Sequence, residues 1–353
     1  MGFLLFVQVG EYMNSDIIVA DFWKNNEEIL TDFDKDSFCE SWTENEMWSI
    51  EFKVVQTPKN AHCYSFLDYE SSVFFGGQEF VVKQLSHDAV GKTLSKDIKA
   101  PHIYYTCQDG RQDDTITGSF TLEQCLTHIF KSDSRGFSWE IIDHSNILEK
   151  VQQENFGNNN YLTLIDQLLD DYGVVVIPDN RHLVFKPREN YGAKTENFIR
   201  YKYNTDEASF DIDTLSLKTK IKGYGKVDSN GNNYFSPVTY TSPEAEKWGI
   251  RWQEPVSDER YTVVGNMQRR LKLELQDYPA TTGSVILKND YECEKGDYVL
   301  FIYEPLGIDY DVQIVAYKKY PFTIKAPEIT LSNNKKSIVS IMAQLAKVLK
   351  GAK

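Results

Sequence analysis

The chain has 353 residues, 41% hydrophobic and 25% charged, an ordinary balance for a folded protein and a length that one compact core does not fill. Its net charge is −14 and no basic stripe runs through the body, which excludes the usual footprint of a sequence-reading DNA binder. Five scattered cysteines without a CxxC exclude a disulfide framework and set the expectation of reduced thiols and synthesis in a cytoplasm.

The opening MGFLLFVQVGEYMNS is apolar, but it lacks a basic n-region and its apolar run is short, so it reads as neither a signal peptide nor a membrane span. Residues 14 to about 100 read as strands. Trp48, Ile50, Phe52 and Val54 alternate with polar residues, the period of a half-buried strand. Ser71 to Leu85 reads as a hairpin turning at Gly76-Gly77, a dipeptide that tolerates positive φ at both positions. The aromatic content of 13%, with runs of Val, Ile and Thr, favours β-rich segments.

After Pro101 the character changes. Phe120 to Phe130 is predicted helical, with Leu122, Cys125, Leu126, Ile129 and Phe130 on one face and a capping box at Thr121 and Gln124. Phe137 to Ile142 reads as a strand. A second helix carries Tyr161, Leu164, Ile165, Leu168, Leu169 and Tyr172 on one face, started by Asn160 and stopped by Gly173. VVVIPDNRHLVFKP follows as a hairpin turning at PDN. Strands return at Phe198 to Tyr203 and Ser216 to Tyr224, and YGKVDSNGNNY reads as a hairpin tip.

In YTSPEAEKWGIRWQEPVSDERY, Ser242-Pro243 starts a short helix that Gly249 stops. Ser257 is expected to cap a longer one, with Val264, Met267, Leu271 and Leu275 along one side until Pro279. Strands follow at Ser284 to Leu287, Tyr298 to Tyr303 and Val312 to Tyr317, with EPLGIDYD as a hairpin tip. After Leu331 there are five lysines and no acid, and Ile338, Ile341, Met342, Leu345, Val348 and Leu349 stand at helical spacing. Such a basic amphipathic helix suits anionic lipid, its own copies in an oligomer, or the acidic body of the chain. The elements thus group into a β-rich segment over 1–100, an α+β module over 101–190, a second β-rich segment with an inserted helix over 191–332, and the basic helix over 333–353.

Chemistry is sparse. The six histidines form no HxH or HExxH, and His62 beside Cys63 is only an adjacent pair. There is no GxSxG and no phosphate-binding glycine loop. Asp113-Asp114, Asp170-Asp171 and Asp211 with Asp213 are the carboxylate pairs that glycoside hydrolysis would draw on, but 52 acidic residues make such pairs inevitable. Asp113-Asp114 falls in a polar loop, and Asp170 and Asp171 point different ways at a helix end. No residue is assigned a catalytic, cofactor or metal role, and no cofactor is expected.

Taken together, YTSPEAEKWGIRWQEPVSDERY, the helix ending LQDYPA and the strand pair in EKGDYVLFIYEPLGIDYDVQIVAYK resemble the C-terminal part of phage tail hub proteins. NEMWSIEFKVVQTPKNAHCYSFLDYESSVFFGGQEFVVKQ is similar to the opening module of the same family, with a strand, a TPKNA turn and a GQEFVVK hairpin in order. FTLEQCLTHIF and NNYLTLIDQLLDDYGVVVIPDNRHLVFKP match its middle. The family is the prophage endopeptidase tail family, and the resemblance spans about residues 14–332. It implies an α+β, β-rich fold with two barrel-like β domains around the α+β module. It implies a homotrimer at the virion tail tip that docks on the distal tail protein, closes the tube, touches the tape-measure protein and opens for DNA, which passes without sequence-specific contact. Many members carry a C-terminal peptidoglycan hydrolase or receptor-binding extension; this chain stops at Lys353, so no enzymatic activity is expected. Two other readings stay open: a cell-wall hydrolase using a carboxylate pair within 101–190, and a glycan- or receptor-binding module suggested by the aromatics. Host-envelope contact through the basic C-terminal helix is also open.

Overall fold

The computed structural model describes residues 16–228, 231–288, 294–306 and 308–332. The expectations for residues 1–14, for Cys293 and for the basic helix over 333–353 lie outside them. The described chain divides into two compact units, one of residues 16–41, 47–103 and 318–325, the other of residues 42–46, 104–317 and 326–332.

In the first unit, Trp48, Ile50, Phe52 and Val54 are the buried face of the strand Met47–Val55, as their alternation predicts. This strand lies between Asp34–Thr43 and Thr93–Pro101, and Gln84–Val90 adds a fourth strand at the edge. A second antiparallel sheet runs Glu27–Ile29, Ile18–Ala20, Ser72–Phe75, Gln78–Val81. Its hairpin turns at Gly76 and Gly77 with φ of 58° and 76°, dihedrals that glycine takes without a Cβ penalty.

Helix α1 (Ala61–Phe66) is short and fixed by polar side chains rather than by an apolar stripe. Asn60, buried just before it, is the anchor of the TPKNA turn. Its Oδ1 accepts from Thr57 N at 2.8 Å, and its Nδ2 donates to the carbonyls of Asp32 and Val55 at 2.7 and 2.8 Å. Lys96 is also buried. Its Nζ donates to the carbonyls of Tyr64 and Leu67 at 2.8 and 2.6 Å, at the end of α1 where the helix dipole favours a cation. Fully buried His102 stacks on Trp48 at 4.3 Å and meets Gln78 Oε1 at 3.0 Å. Phe38 packs against Phe52, Phe75 and Phe322, the last at 4.8 Å from the returning segment 318–325.

The second unit contains both predicted amphipathic helices. α2 (Leu122–Ile129) has a complete capping box: Gln124 N donates to Thr121 Oγ1 at 3.2 Å, and Thr121 N donates to Gln124 Oε1 at 2.9 Å. α3 (Tyr161–Tyr172) starts at Asn160, whose Oδ1 accepts from Thr163 N at 2.9 Å, and ends at Gly173 with φ 61°. Cys125, Leu126, Ile129, Leu164, Ile165 and Leu168 of these helices are buried with Leu183 and Phe185 in one core. Tyr161 is seated over Gly110, where a Cβ would lie 2.2 Å from its ring. The hairpin Val174–Asp179 and His182–Pro187 turns at Asn180 with φ 52°, and Ser138–Ile141 joins its second strand in parallel.

One pair of strands in this unit is invisible to periodicity. Arg111–Phe120 and Val151–Asn160 form a two-stranded antiparallel ribbon with two register shifts. Asp113 and Asp114 therefore stand on a strand, not in a loop. Their sequences are polar and asparagine-rich because the ribbon is mostly solvated, and Asn155 and Asn158 take positive φ as it bends.

Farther on, Thr205–Asp213, Ala280–Leu287 and Glu328–Ser332 pair antiparallel, and Lys194–Arg200 runs parallel to Tyr298–Tyr303, which pairs antiparallel with Ile308–Lys319. Asp309 and Asp311 therefore sit within a strand, and only Glu304–Leu306 make the described part of the tip. α4 (Ala245–Trp248) ends at Gly249 as expected. The next helix, α5 (Val264–Glu274), starts later than predicted. Ser257 pairs with Tyr224 in a parallel strand instead, and Asp258 folds back onto Arg260 N at 3.0 Å, so the cap passes to Val263. Met267, Leu271 and Leu275 are buried as expected, whereas Val264 is exposed. The architecture is α+β and β-rich, and among the described residues its sheets are open rather than closed into a barrel.

Candidate functional site

A cleft of about 1540 Å³ in the second unit is walled by the C-terminal half of α3, by α5, and by residues around Trp248 and Arg260. Its electrostatics follow from the end of α3. The last carbonyls of a helix have no intrahelical donor and carry the negative end of the dipole. Three arginines meet this end. Arg269 Nη1 donates to Tyr172 O at 3.0 Å and Arg270 Nη1 to Asp170 O at 3.5 Å, and Arg260 forms an ion pair with buried Asp171. Each is also held by a carboxylate away from the helix end: Arg269 by Glu189 at 3.1 Å, Arg270 by Glu274 at 2.9 Å and Arg260 by Asp258 at 2.8 Å. These three arginines are thus ion-paired within the protein, as is Arg188 with Glu44, whereas Lys247 of the same wall lies over the Trp248 ring without an ion pair among the described residues.

The acids are not all committed. Glu149, Asp166, Asp170 and Glu244 also line the cleft and make no ion pair among the described residues. Partial desolvation by the cleft walls, and then Asp170 one turn on, push the Asp166 carboxyl up to about 6. The cleft is therefore suited to a positively charged occupant.

The sequence candidates for catalysis do not assemble. Asp113 is bound by Arg111 at 2.7 Å, and Asp114 faces Lys131 at 3.9 Å. Asp170 and Asp171 diverge as neighbours on a helix must: Asp171 is buried, accepting from Gln153 Nε2 at 3.0 Å, while Asp170 is exposed. Asp211 and Asp213 lie two apart on one strand, and Asp213 Oδ1 accepts from Leu215 N at 2.7 Å. His62 is exposed and bonded to Glu28 at 2.7 Å, whereas Cys63 is buried with its thiol pushed up to about 12 by desolvation, so the two do not share a site. Among the described residues no three of His, Cys, Asp and Glu converge as a metal site, and no helix is long and apolar enough to cross a membrane. The cleft itself was not legible in the sequence. Arg260, Arg269 and Arg270 look like ordinary surface charges until α3 is placed beside them.

Comparison with known proteins places these features in context. The family models for the Prophage endopeptidase tail N-terminal domain, the Prophage endopeptidase tail domain and the Prophage endopeptidase tail match residues 17–102, 109–185 and 193–342. A crystal structure of prophage tail protein gp18 from Listeria monocytogenes EGD-e is 93% identical, spans 95% of this chain and 100% of its own, and superposes with a TM-score of 0.85. A tail protein from Neisseria meningitidis MC58 shares the fold at 11% identity and TM-score 0.63, over 90% of this chain and 96% of its own. So does the 43 kDa tail protein of prophage MuSo2 from Shewanella oneidensis, at 14% identity and TM-score 0.63, over 90% and 98%. A search of curated proteins finds no match. Matched along most of its length by these successive domain models, and nearly identical to a prophage tail protein, the chain belongs to the prophage endopeptidase tail family of phage tail proteins.

Proposed function

We propose that the protein is a structural hub at the phage tail tip, made in the host cytoplasm and built into the virion as a homotrimer. In this reading it docks on the distal tail protein, closes the tube against the end of the tape-measure protein, and opens for DNA without reading its sequence. The observation that carries the reading is the run of three family domains in one chain that is 93% identical to a prophage tail protein. Large apolar side chains on the surface support it: Trp23, Val90, Tyr203 and Leu215 are 76%, 77%, 70% and 87% exposed. Aromatic side chains such as Trp23 and Tyr203 are of the type enriched in assembly interfaces. An acidic surface also suits passage of DNA, since lysines in a lumen would hold phosphates.

Light scattering across a range of concentrations tests the assembly. A species near three times 40.8 kDa is expected. A monomer at every concentration, also with purified distal tail protein present, overturns the hub. We also propose that the chain is not an enzyme. The engagement of Asp113 and Asp171 by arginines supports this. Peptidoglycan turnover by the purified protein, abolished by Asp113→Asn with Asp114→Asn, would show a hydrolase instead.

A further inference from the structure

We propose that the cleft on α3 and α5 is the docking site of the chain's own basic C-terminal segment, residues 333–353. The first argument is position. Ser332, the last described residue, is buried and lines the cleft, so the segment departs from the wall itself. The second is charge. The segment brings Lys335, Lys336, Lys347, Lys350 and Lys353 and no acid. The cleft offers Glu149, Asp166, Asp170 and Glu244 without ion-pair partners among the described residues, against Lys247 as the one lining cation without an ion pair there, its arginines being already paired. The third is apolar surface. Half-buried Leu273 and Trp248 line the same cleft beside the edges of buried Val151 and Leu169, and Ile338, Ile341, Met342 and Leu345 recur along the segment at helical spacing. The fourth is size, since a volume near 1540 Å³ exceeds the roughly 300–1,000 Å³ of small-molecule pockets and fits a peptide. The raised Asp166 carboxyl agrees, because a cation beside Asp166 and Asp170 relieves their repulsion.

Zero-length carbodiimide cross-linking of the full chain, read by mass spectrometry, tests the proposal. Chains of light and heavy isotope are mixed so that links within and between copies differ in mass. The pair Lys24 and Glu79, 2.8 Å apart, is the internal control for fold and chemistry. The expected result is same-chain links from the C-terminal lysines to Asp166, Asp170, Glu149 or Glu244. In the double variant Asp166→Asn, Asp170→Asn, links to the cleft should fall several-fold while the control link is unchanged. Four results overturn the proposal: links only to acids outside the cleft, cleft links found only between light and heavy chains, no C-terminal link despite the control, or protection of these lysines only when phosphatidylglycerol vesicles are added. The second of these assigns the cleft to a neighbouring copy and the last assigns the segment to a membrane surface.

Discussion

The first unit and the α2–α3 module bury different chemistry. Around α2 and α3 the interior is largely aliphatic and aromatic, and its buried polar side chains, Gln112, His128, Gln153 and Asp171, bond to one another or to carbonyls. The first unit buries an imidazole and a primary amide too, in His102 and Asn60, and adds an amine, Lys96. Lys96 and Asn60 are each held by backbone groups. A buried polar group costs free energy unless it is bonded, so these residues constrain the chain to one arrangement where apolar residues would tolerate several. The two regions weight the same two devices differently: matched apolar faces dominate around α2 and α3, and bonds to backbone groups around α1.

Truncating the apolar parts should give the largest effects and break any claim that one unit is loosely packed. Phe38→Ala and Leu168→Ala are each expected to cost about 3–4 kcal/mol in urea unfolding, since both side chains are fully buried. If Phe38→Ala costs under about 1 kcal/mol, the phenylalanine cluster is not a core. The polar strategy is tested by Lys96→Met, which keeps the bulk and leaves the Tyr64 and Leu67 carbonyls without that donor. A loss of about 2 kcal/mol is expected; a neutral result would mean that desolvation of the amine cancels its bonds. A smaller effect belongs to the helix ends: Thr121→Ala should cost about 1 kcal/mol and lower the helical signal of α2 alone.

The smallest effect concerns the cleft. The folded Asp166 carboxyl titrates at about 6, above its ordinary 3.8, so between those pH values the native state keeps a proton that the unfolded chain has released. Its unfavourable contribution is full above about pH 6 and gone below about pH 4. Asp166→Asn should therefore stabilise at pH 7, by less than about 1 kcal/mol given its exposure to solvent, and have no effect at pH 3.5. Thermal unfolding of both proteins across that range checks the sign.

The same contrast explains what the sequence disclosed. Elements with one apolar face were legible: both long helices of the α+β module, their caps at Thr121, Asn160 and Gly173, and the Gly76-Gly77 hairpin. The ribbon of Arg111–Phe120 with Val151–Asn160 was not, because its period is set by backbone pairing across a solvated surface. The start of α5 was misread at Ser257, where a strand partner outcompeted a local capping preference. Of the candidate site, the acids were visible only as abundant carboxylates. What makes Asp166 and Asp170 a pair of interest is that neighbouring arginines are spent on Asp171, Glu189 and Glu274, and sequence distance hides such commitments. Phe322 is hidden in the same way, lying far along the chain from the Phe38 it packs against.

That return has a consequence for synthesis. The aromatic cluster of the first unit is completed only when residues 318–325 have left the ribosome, more than two hundred residues after Ile103. At roughly 5–20 residues per second, this leaves Phe33, Phe38 and Phe75 without Phe322 for some ten to forty seconds on every nascent chain. The N-terminal part of the protein is thus the first to emerge and among the last to be finished, and the rate of translation sets how long its cluster waits.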